Sequence, residues 1–283
     1  MTQVDHGDTG RVFGSDISIL NGSSNCVVIF HGYSDTPYEF KHVAREISTL
    51  GVDVIVPVLP HHGIDSSELS RADLLEADKW GARLLAELKP RYEKVLAVGH
   101  SMGSGIVSYA IMEGISLDGI IITSVNGVPS GNVRFFLKLA RALRITSFKP
   151  VYKELRHNHF EPQYIEWKLK HFPRIYFNVF FEAIETLPVY IMQLPKITVP
   201  IMVIHGAKDF AANVTKTSDL YFEKVRSTKK TMIIVEKTGH AVFFSRYFEQ
   251  IMQEIKAFIQ DVLIYGDHGP YARKLRISRP GKT

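Results

Sequence analysis

One serine framed by two glycines stands out as able to do chemistry. Gly99-His-Ser-Met-Gly103 follows the apolar run Lys94–Gly99 and opens a helical stretch, Ser101–Glu113. In that strand–turn–helix context, G-x-S-x-G is the sharp turn that lifts a serine hydroxyl to the tip of a sheet. The amino end of the following helix favours negative charge at the same point. A carboxylate and a base stand downstream, at two later strand ends. Pro200–His205 runs into Gly206-Ala-Lys-Asp209, and Lys230–Glu236 runs into Lys237-Thr-Gly-His240. Ser101 then reads as nucleophile, His240 as the base that takes its proton, and Asp209 as the acid that fixes the imidazole tautomer. A turn or helix cap is the plainer role for Asp209. Against it, the other strand end that could carry the acid, Ser124-Val-Asn126, has no carboxylate.

Acyl chemistry also needs donors for an oxyanion. The N–H of Met102, next after the nucleophile, is one. His31-Gly32-Tyr33, directly after the strand Cys26–Phe30, supplies the other through Tyr33 N–H, with Gly32 letting the loop approach closely. His31, Gly32 and His100 are placed beside the substrate; for His100, as for His205, a structural role at a strand end is the blander reading. None of this needs a cofactor or a metal. His61, His62 and Asp65, or His157 and His159, lack third and fourth ligands at a supporting spacing.

The elements that must position these residues follow from the apolar pattern. Cys26–Phe30, Val52–Val58, Lys94–Gly99, Gly119–Ser124, Pro200–His205 and Lys230–Glu236 are short runs rich in Val and Ile. Such runs mark strands buried on both faces of a parallel sheet. Helical stretches alternate with them: Thr36–Leu50, Ser70–Leu88, Ser101–Glu113, Ala212–Val225 and Ala241–Leu263. The expectation is a mostly parallel, doubly wound α/β sheet, with the ligand site at the carboxyl ends of its strands. Residues 1–124 and 197–263 form its core. From 125 to 196 no strand-like run occurs, and the helical stretches Asn132–Ile145, Pro162–His171 and Arg174–Leu194 read as a cap over the site. Residues 264–283 read as a poorly ordered basic tail, with Arg273, Lys274, Arg276, Arg279 and Lys282.

Composition narrows the function. The chain has 283 residues, 45% of them apolar and a formal charge of +5, enough for a large core. The lone Cys26 excludes an internal disulfide and a Cys-rich metal site. No apolar run reaches membrane-span length, and the start Met1–Asp8 lacks the regions of a signal peptide, so a cytoplasmic protein is expected. The basic tail has almost no interleaved aromatics, which argues against nucleic acid as a partner. In Asn132–Ile145, Arg134, Lys138, Arg141 and Arg144 form one stripe, and Phe136, Leu139, Ala140 and Leu143 lie largely on the other side. The favoured reading is a lid helix with its apolar face over the pocket; the other is a helix resting on an anionic membrane surface. No oligomeric state is assigned.

These motifs together resemble the α/β-hydrolase superfamily: His31-Gly32, Pro60-His-His62-Gly63, Gly99-His-Ser-Met-Gly103, His205-Gly206-Ala-Lys-Asp209 and Gly239-His240, over roughly residues 24–263. The chain order Ser…Asp…His is the one expected for that fold. Within it the sequence resembles bacterial carboxylesterases and monoacylglycerol lipase-like enzymes, the loop Pro60–Gly63 followed by Ser66–Leu69 being similar. The resemblance implies hydrolysis of a small-molecule acyl ester. A serine at the elbow argues against dehalogenase and epoxide-hydrolase chemistry. Peptidase or carbon–carbon hydrolase activity on the same triad, and a non-catalytic receptor on the same scaffold, stay open. The cap matches no assignable pattern.

Overall fold

The computed structural model describes residues 13–125, 127–150, 161–266 and 271–278. Eight strands form one sheet: β1 (Ile17–Ile19), β2 (Asn25–Phe30), β3 (Asp53–Val56), β4 (Lys94–His100), β5 (Gly119–Thr123), β8 (Ile201–Gly206), β9 (Lys229–Val235) and β10 (Tyr271–Ile277). Their spatial order is β1-β3-β2-β4-β5-β8-β9-β10. Every pairing is parallel except that of β1 with β3. The apolar runs are continuous because both faces are covered. In β2, Cys26, Val28 and Phe30 join one core cluster while Val27 and Ile29 join the other.

The first cluster lies under α3 (Leu74–Leu88) and α4 (Met102–Met112), the second under α1 (Lys41–Ser48) and α9 (Phe248–Ile259). α2 (Ser66–Leu69) is a single turn capped by Asp65, whose carboxylate accepts from Ser67 and Glu68 N–H. Asp73 caps α3 in the same way, through Glu76 N–H. From there Leu74, Ala77, Ala82, Leu85 and Leu88 line its buried face. Fully burying a side chain such as Leu85 stabilises by about 1.5–3 kcal/mol. α8 (Val214–Lys224) connects β8 to β9.

The segment between β5 and β8 is mainly helical, as its sequence suggests: α5 (Gly131–Ala142), α6 (Pro162–His171) and α7 (Asn178–Gln193). It also holds a two-residue ladder between β6 (Ser147–Phe148) and β7 (Ile175–Tyr176), too short to show as an apolar run. That ladder delays the start of α7 from the expected Arg174 to Asn178. α6 is anchored deeply, with Tyr164, Trp167 and Phe172 in the first core cluster.

Two expectations need correcting. Residues 271–277, read as part of a poorly ordered tail, form β10 at the sheet edge, parallel to β9 over seven residue pairs. Their basic side chains are ion-paired: Arg273 with Glu254, Lys274 with Asp219 and Arg276 with Glu236. Leu275 and Ile277 meanwhile pack on the second cluster. The apolar side of α5, expected over the pocket, is mostly turned to solvent. Only Leu137 and Ala140 are buried, while Phe135, Phe136 and Leu139, and Leu143 just beyond, are exposed.

Candidate active site

Ser101 sits between β4 and α4 at φ 51°, ψ −113°, a left-handed backbone that a serine adopts only under constraint. The constraint is close packing on both sides. A Cβ at Gly99 would lie 2.3 Å from Gly103 O, and one at Gly103 would lie 2.2 Å from Phe30 O. Ser101 N–H donates to Thr123 O at 2.9 Å, which ties the turn to the end of β5. The flanking glycines are therefore required by contact, and the turn holds the side chain at the carboxyl edge of the sheet.

His240 follows β9 on a loop, and its Nε2 lies 2.8 Å from Ser101 Oγ. Its Nδ1 lies 2.8 Å from Asp209 Oδ2. A carboxylate only accepts, so Nδ1–H donates to Asp209 and Nε2 is left to accept the serine proton. Asp209 follows β8 and its side chain is fully buried. Burial opposes its ionisation. The hydrogen bond and charge of His240, with the N–H of Ala211 at 2.9 Å, outweigh burial and hold its pKa below the usual carboxylate value. Three residues from three separate strand ends are thus in one relay.

The loop after β2 meets them. A Cβ on Gly32 would come within 3.2 Å of Ser101 Cβ and 2.6 Å of Asp35 Oδ2, so only glycine allows this approach. Tyr33 follows, beside the nucleophile. Met102 opens α4, where first-turn N–H groups have no intrahelical acceptor.

The other residues placed beside a substrate part company. Gly32 touches the nucleophile, but His31 and His100 are buried braces. His31 Nδ1–H donates to Gly32 O at 2.9 Å, and its Nε2 accepts Leu59 N–H at 3.2 Å. Burial, with His62 nearby, holds it well below the usual histidine pKa and therefore neutral. His100 Nδ1 lies 2.8 Å from Thr123 Oγ1, and its pKa is pushed down to about 3 by burial and then by His240. His205 is also buried, with Nδ1 3.7 Å from Asp209 Oδ2, and burial lowers it to about 4.

Ser124 carries no signal in the sequence beyond its place at a strand end. At φ 48° it accepts backbone strain, and its hydroxyl donates to His240 O. It thereby fixes the base from behind. Among the described residues no three His, Cys, Asp or Glu side chains gather as a metal site. His61 pairs with Glu68 and Glu76, and His62 Nδ1 with Pro60 O. Asn126, His157, His159, Phe160, Arg279 and Lys282 lie outside the described residues.

The sheet order, the elbow at Ser101 and the chain order Ser101, Asp209, His240 are those of an α/β-hydrolase scaffold. The chain belongs to the alpha/beta hydrolase family, whose model matches residues 27–254. Its fold is similar to a structure from work on LipS and LipT, two metagenome-derived lipolytic enzymes, at 18% identity and TM-score 0.72, covering 88% of this chain and 98% of that one. A monoacylglycerol lipase from Paleococcus ferrophilus is similar at 18% identity and TM-score 0.69, over 86% and 97% of the two chains. A soluble variant of monoglyceride lipase from Saccharomyces cerevisiae matches at 14% identity and TM-score 0.63, over 86% and 90%. No curated protein sequence matches the chain.

Proposed function

We propose that this chain hydrolyses carboxylic esters through an acyl-enzyme, with Ser101, His240 and Asp209 as a catalytic triad. The observation that carries the reading is the pair of 2.8 Å contacts that join Ser101 to His240 and His240 to Asp209. Ser101 Oγ attacks the ester carbonyl carbon while His240 Nε2 takes its proton. The N–H groups of Met102 and Tyr33 hold the resulting oxyanion. The imidazolium, stabilised by Asp209, returns the proton to the leaving alkoxide. Water, deprotonated by His240, then attacks the acyl-enzyme and releases the acid.

Residues 125–196 act as the cap in this reading. Between its helix α7 and the helices α3 and α4 lies a small, mostly apolar cavity lined by Leu74, Gly105, Val125, Ala183, Leu187 and Tyr190. At about 20 Å³ it holds little more than a water molecule, so an acyl group needs more room than this cavity gives. The lipolytic neighbours favour an ester as the bond attacked. Nitrophenyl esters of graded chain length, run beside monoacylglycerols and matching anilides, test the proposal. Esters should turn over with a burst. Ser101→Ala should lose turnover on the order of 10⁶-fold, as serine hydrolases do on loss of the nucleophile. Near-wild-type activity in Ser101→Ala would sink it, and faster turnover of the anilides would move the chain to amide chemistry.

The exposed side of α5 supports a second statement: the cap rests on an anionic lipid surface. Phe135, Phe136, Leu139 and Leu143 are exposed there, and Arg134, Lys138, Arg141 and Arg144 share the helix or follow it.

A further inference from the structure

A buried ion network, outside the Ser101–His240–Asp209 relay, joins α6 to the loop that carries Tyr33. Lys168 is 1% exposed and Glu39 5%, and Lys168 Nζ lies 2.7 Å from Glu39 Oε1. The same ammonium donates to the carbonyl of Ser34. Tyr164, one turn earlier in α6 and fully buried, donates its hydroxyl proton to Glu39 Oε1. Thr36 Oγ1, 3.2 Å from the Tyr164 oxygen, donates to it in turn. Three residues of the 34–39 stretch, Ser34, Thr36 and Glu39, and two of α6 thus share one set of hydrogen bonds.

The loop needs this support. Ser34 has φ 66°, a left-handed conformation that persists in a non-glycine residue only when its surroundings impose it. Asp35 N–H donates to Gly32 O at 3.1 Å, and Gly32 N–H donates back to Asp35 Oδ2 at 3.0 Å. The turn so closed contains Tyr33, and a Cβ added at Gly32 would come within 3.2 Å of Ser101 Cβ. Two carboxyls, Asp35 and Glu39, stand behind a place where an oxyanion is to form. Enclosure and the neighbouring Glu39 raise the pKa of Asp35 well above the usual carboxylate range. Lys168 offsets the charge on Glu39.

We propose that Lys168 is a positioning residue for the oxyanion hole: through Ser34 O and Glu39 it sets the Tyr33 N–H, so the hole is complete only when α6 is docked. The inference rests on the acyl-enzyme reading above. It makes α6 part of the chemistry through a contact that no motif around Ser101 announces.

The test measures nitrophenyl butyrate hydrolysis in wild type and Lys168→Met, per active site titrated with a fluorophosphonate, with Ser101→Ala, which cannot be titrated, as the background per mole of protein. Affinity for a trifluoromethyl ketone, which forms an oxyanion adduct on Ser101, is measured beside it. Removing an oxyanion donor outright costs about 10²–10³ in kcat, so misplacing one should cost about 10- to 100-fold in Lys168→Met, with KM little changed. Ketone affinity should fall by the same factor as kcat/KM. A loss of stability alone would lower the titrated fraction and leave both quantities per site intact. Unchanged kcat in titrated Lys168→Met, or a loss confined to KM, overturns the proposal. Should that variant not fold, Tyr164→Phe takes its place, with an expected loss of about threefold to tenfold in kcat, the equivalent of one hydrogen bond. An unchanged kcat there also overturns it. A wild type that titrates but turns over no ester is a failure of the esterase reading and brings this inference down with it. An active wild type with a fully active Lys168→Met removes this inference alone.

Discussion

Asp209 is held charged against its own burial. A carboxylate with a fully buried side chain would normally protonate, and here the His240 N–H and the Ala211 N–H keep it ionised. Its charge therefore depends on the group it serves, and the two should fail together. Asp209→Asn keeps the shape but offers Nδ2–H or Oδ1 to His240, and the wrong tautomer leaves Nε2 protonated toward Ser101. In a serine protease of the chymotrypsin type the corresponding change lowers kcat about 10⁴-fold with geometry intact. A loss of that order is expected here, with ester KM little moved; an Asn variant within about tenfold of wild type would show that Asp209 does not orient the base. At this scale the sequence was informative about position: Ser101, Asp209 and His240 each stand just past a strand end, and the fold brings them together at 2.8 Å. It placed His31 beside the substrate and left His100 between that place and a structural one, because a polar residue at a strand end looks the same whether its ring faces a substrate or is enclosed by Gly32 O, Leu59 N–H and Thr123 Oγ1. It was silent at Ser124 and Lys168, whose partners are 116 and 134 residues away in the chain.

Elements buried on two faces announce themselves, and those at an edge do not. The six Val- and Ile-rich runs are β2, β3, β4, β5, β8 and β9, within a residue or two at each end. β1 and β10 flank them, and neither was expected. β10 alternates half-buried Leu275 and Ile277 with charged Lys274 and Arg276, and that reads as a solvated basic stretch unless the acidic partners on neighbouring elements are known. A second contact between elements concerns α3 and α7. Asp78 on α3 is 1% exposed, accepts the Tyr190 hydroxyl of α7 through Oδ2, and leaves Oδ1 without a partner. Burial raises its pKa to about 7, the Tyr190 hydrogen bond only partly opposing the shift. An unfolded chain releases that proton near pH 4. Between about pH 4 and 7 the folded chain holds a proton that the unfolded chain has lost, so stability declines as pH rises through that window, and the full cost is present above it. Asp78→Asn has no such proton to lose. Its stability should gain on wild type progressively from pH 4 to pH 7 and then level off, the gap being on the order of 1.4 kcal/mol per unit of pKa shift. Urea unfolding of both proteins at a series of pH values reads the gap directly. Parallel profiles would mean that Asp78 is ionised at ordinary cost.

At the scale of the whole molecule, the parallel order β2-β4-β5-β8-β9 brings the carboxyl ends of β2, β4, β8 and β9 to one edge, and every proposed catalytic group hangs from that edge. The inserted helices contribute in two different ways. α6 is sunk into the core through Tyr164 and Lys168. α5 stands outward, and it starts at the rim of the site: its cap residue Ser130 donates to Phe210 O, and the Phe210 ring lies 6.4 Å from the His240 ring. Phe210 is itself 73% exposed, and Phe135 70%. A patch of large apolar side chains beside four basic ones suits the boundary between lipid headgroups and acyl chains. Among the described residues no helix is long and apolar enough to cross a membrane. Two contributions should then separate. Each basic residue near an anionic surface is worth about 1 kcal/mol, and salt screens it; the apolar contacts persist. The wild type should sediment with phosphatidylglycerol vesicles at low salt, less so at high salt, and weakly with phosphatidylcholine. Phe135→Ser/Leu139→Ser should release it at either salt concentration, while hydrolysis of a soluble short-chain ester stays at the wild-type rate, because neither side chain belongs to the relay or to the oxyanion loop. Equal binding to neutral and anionic vesicles would remove the electrostatic part of the reading, and no binding at all would leave α5 as a solvent-facing helix.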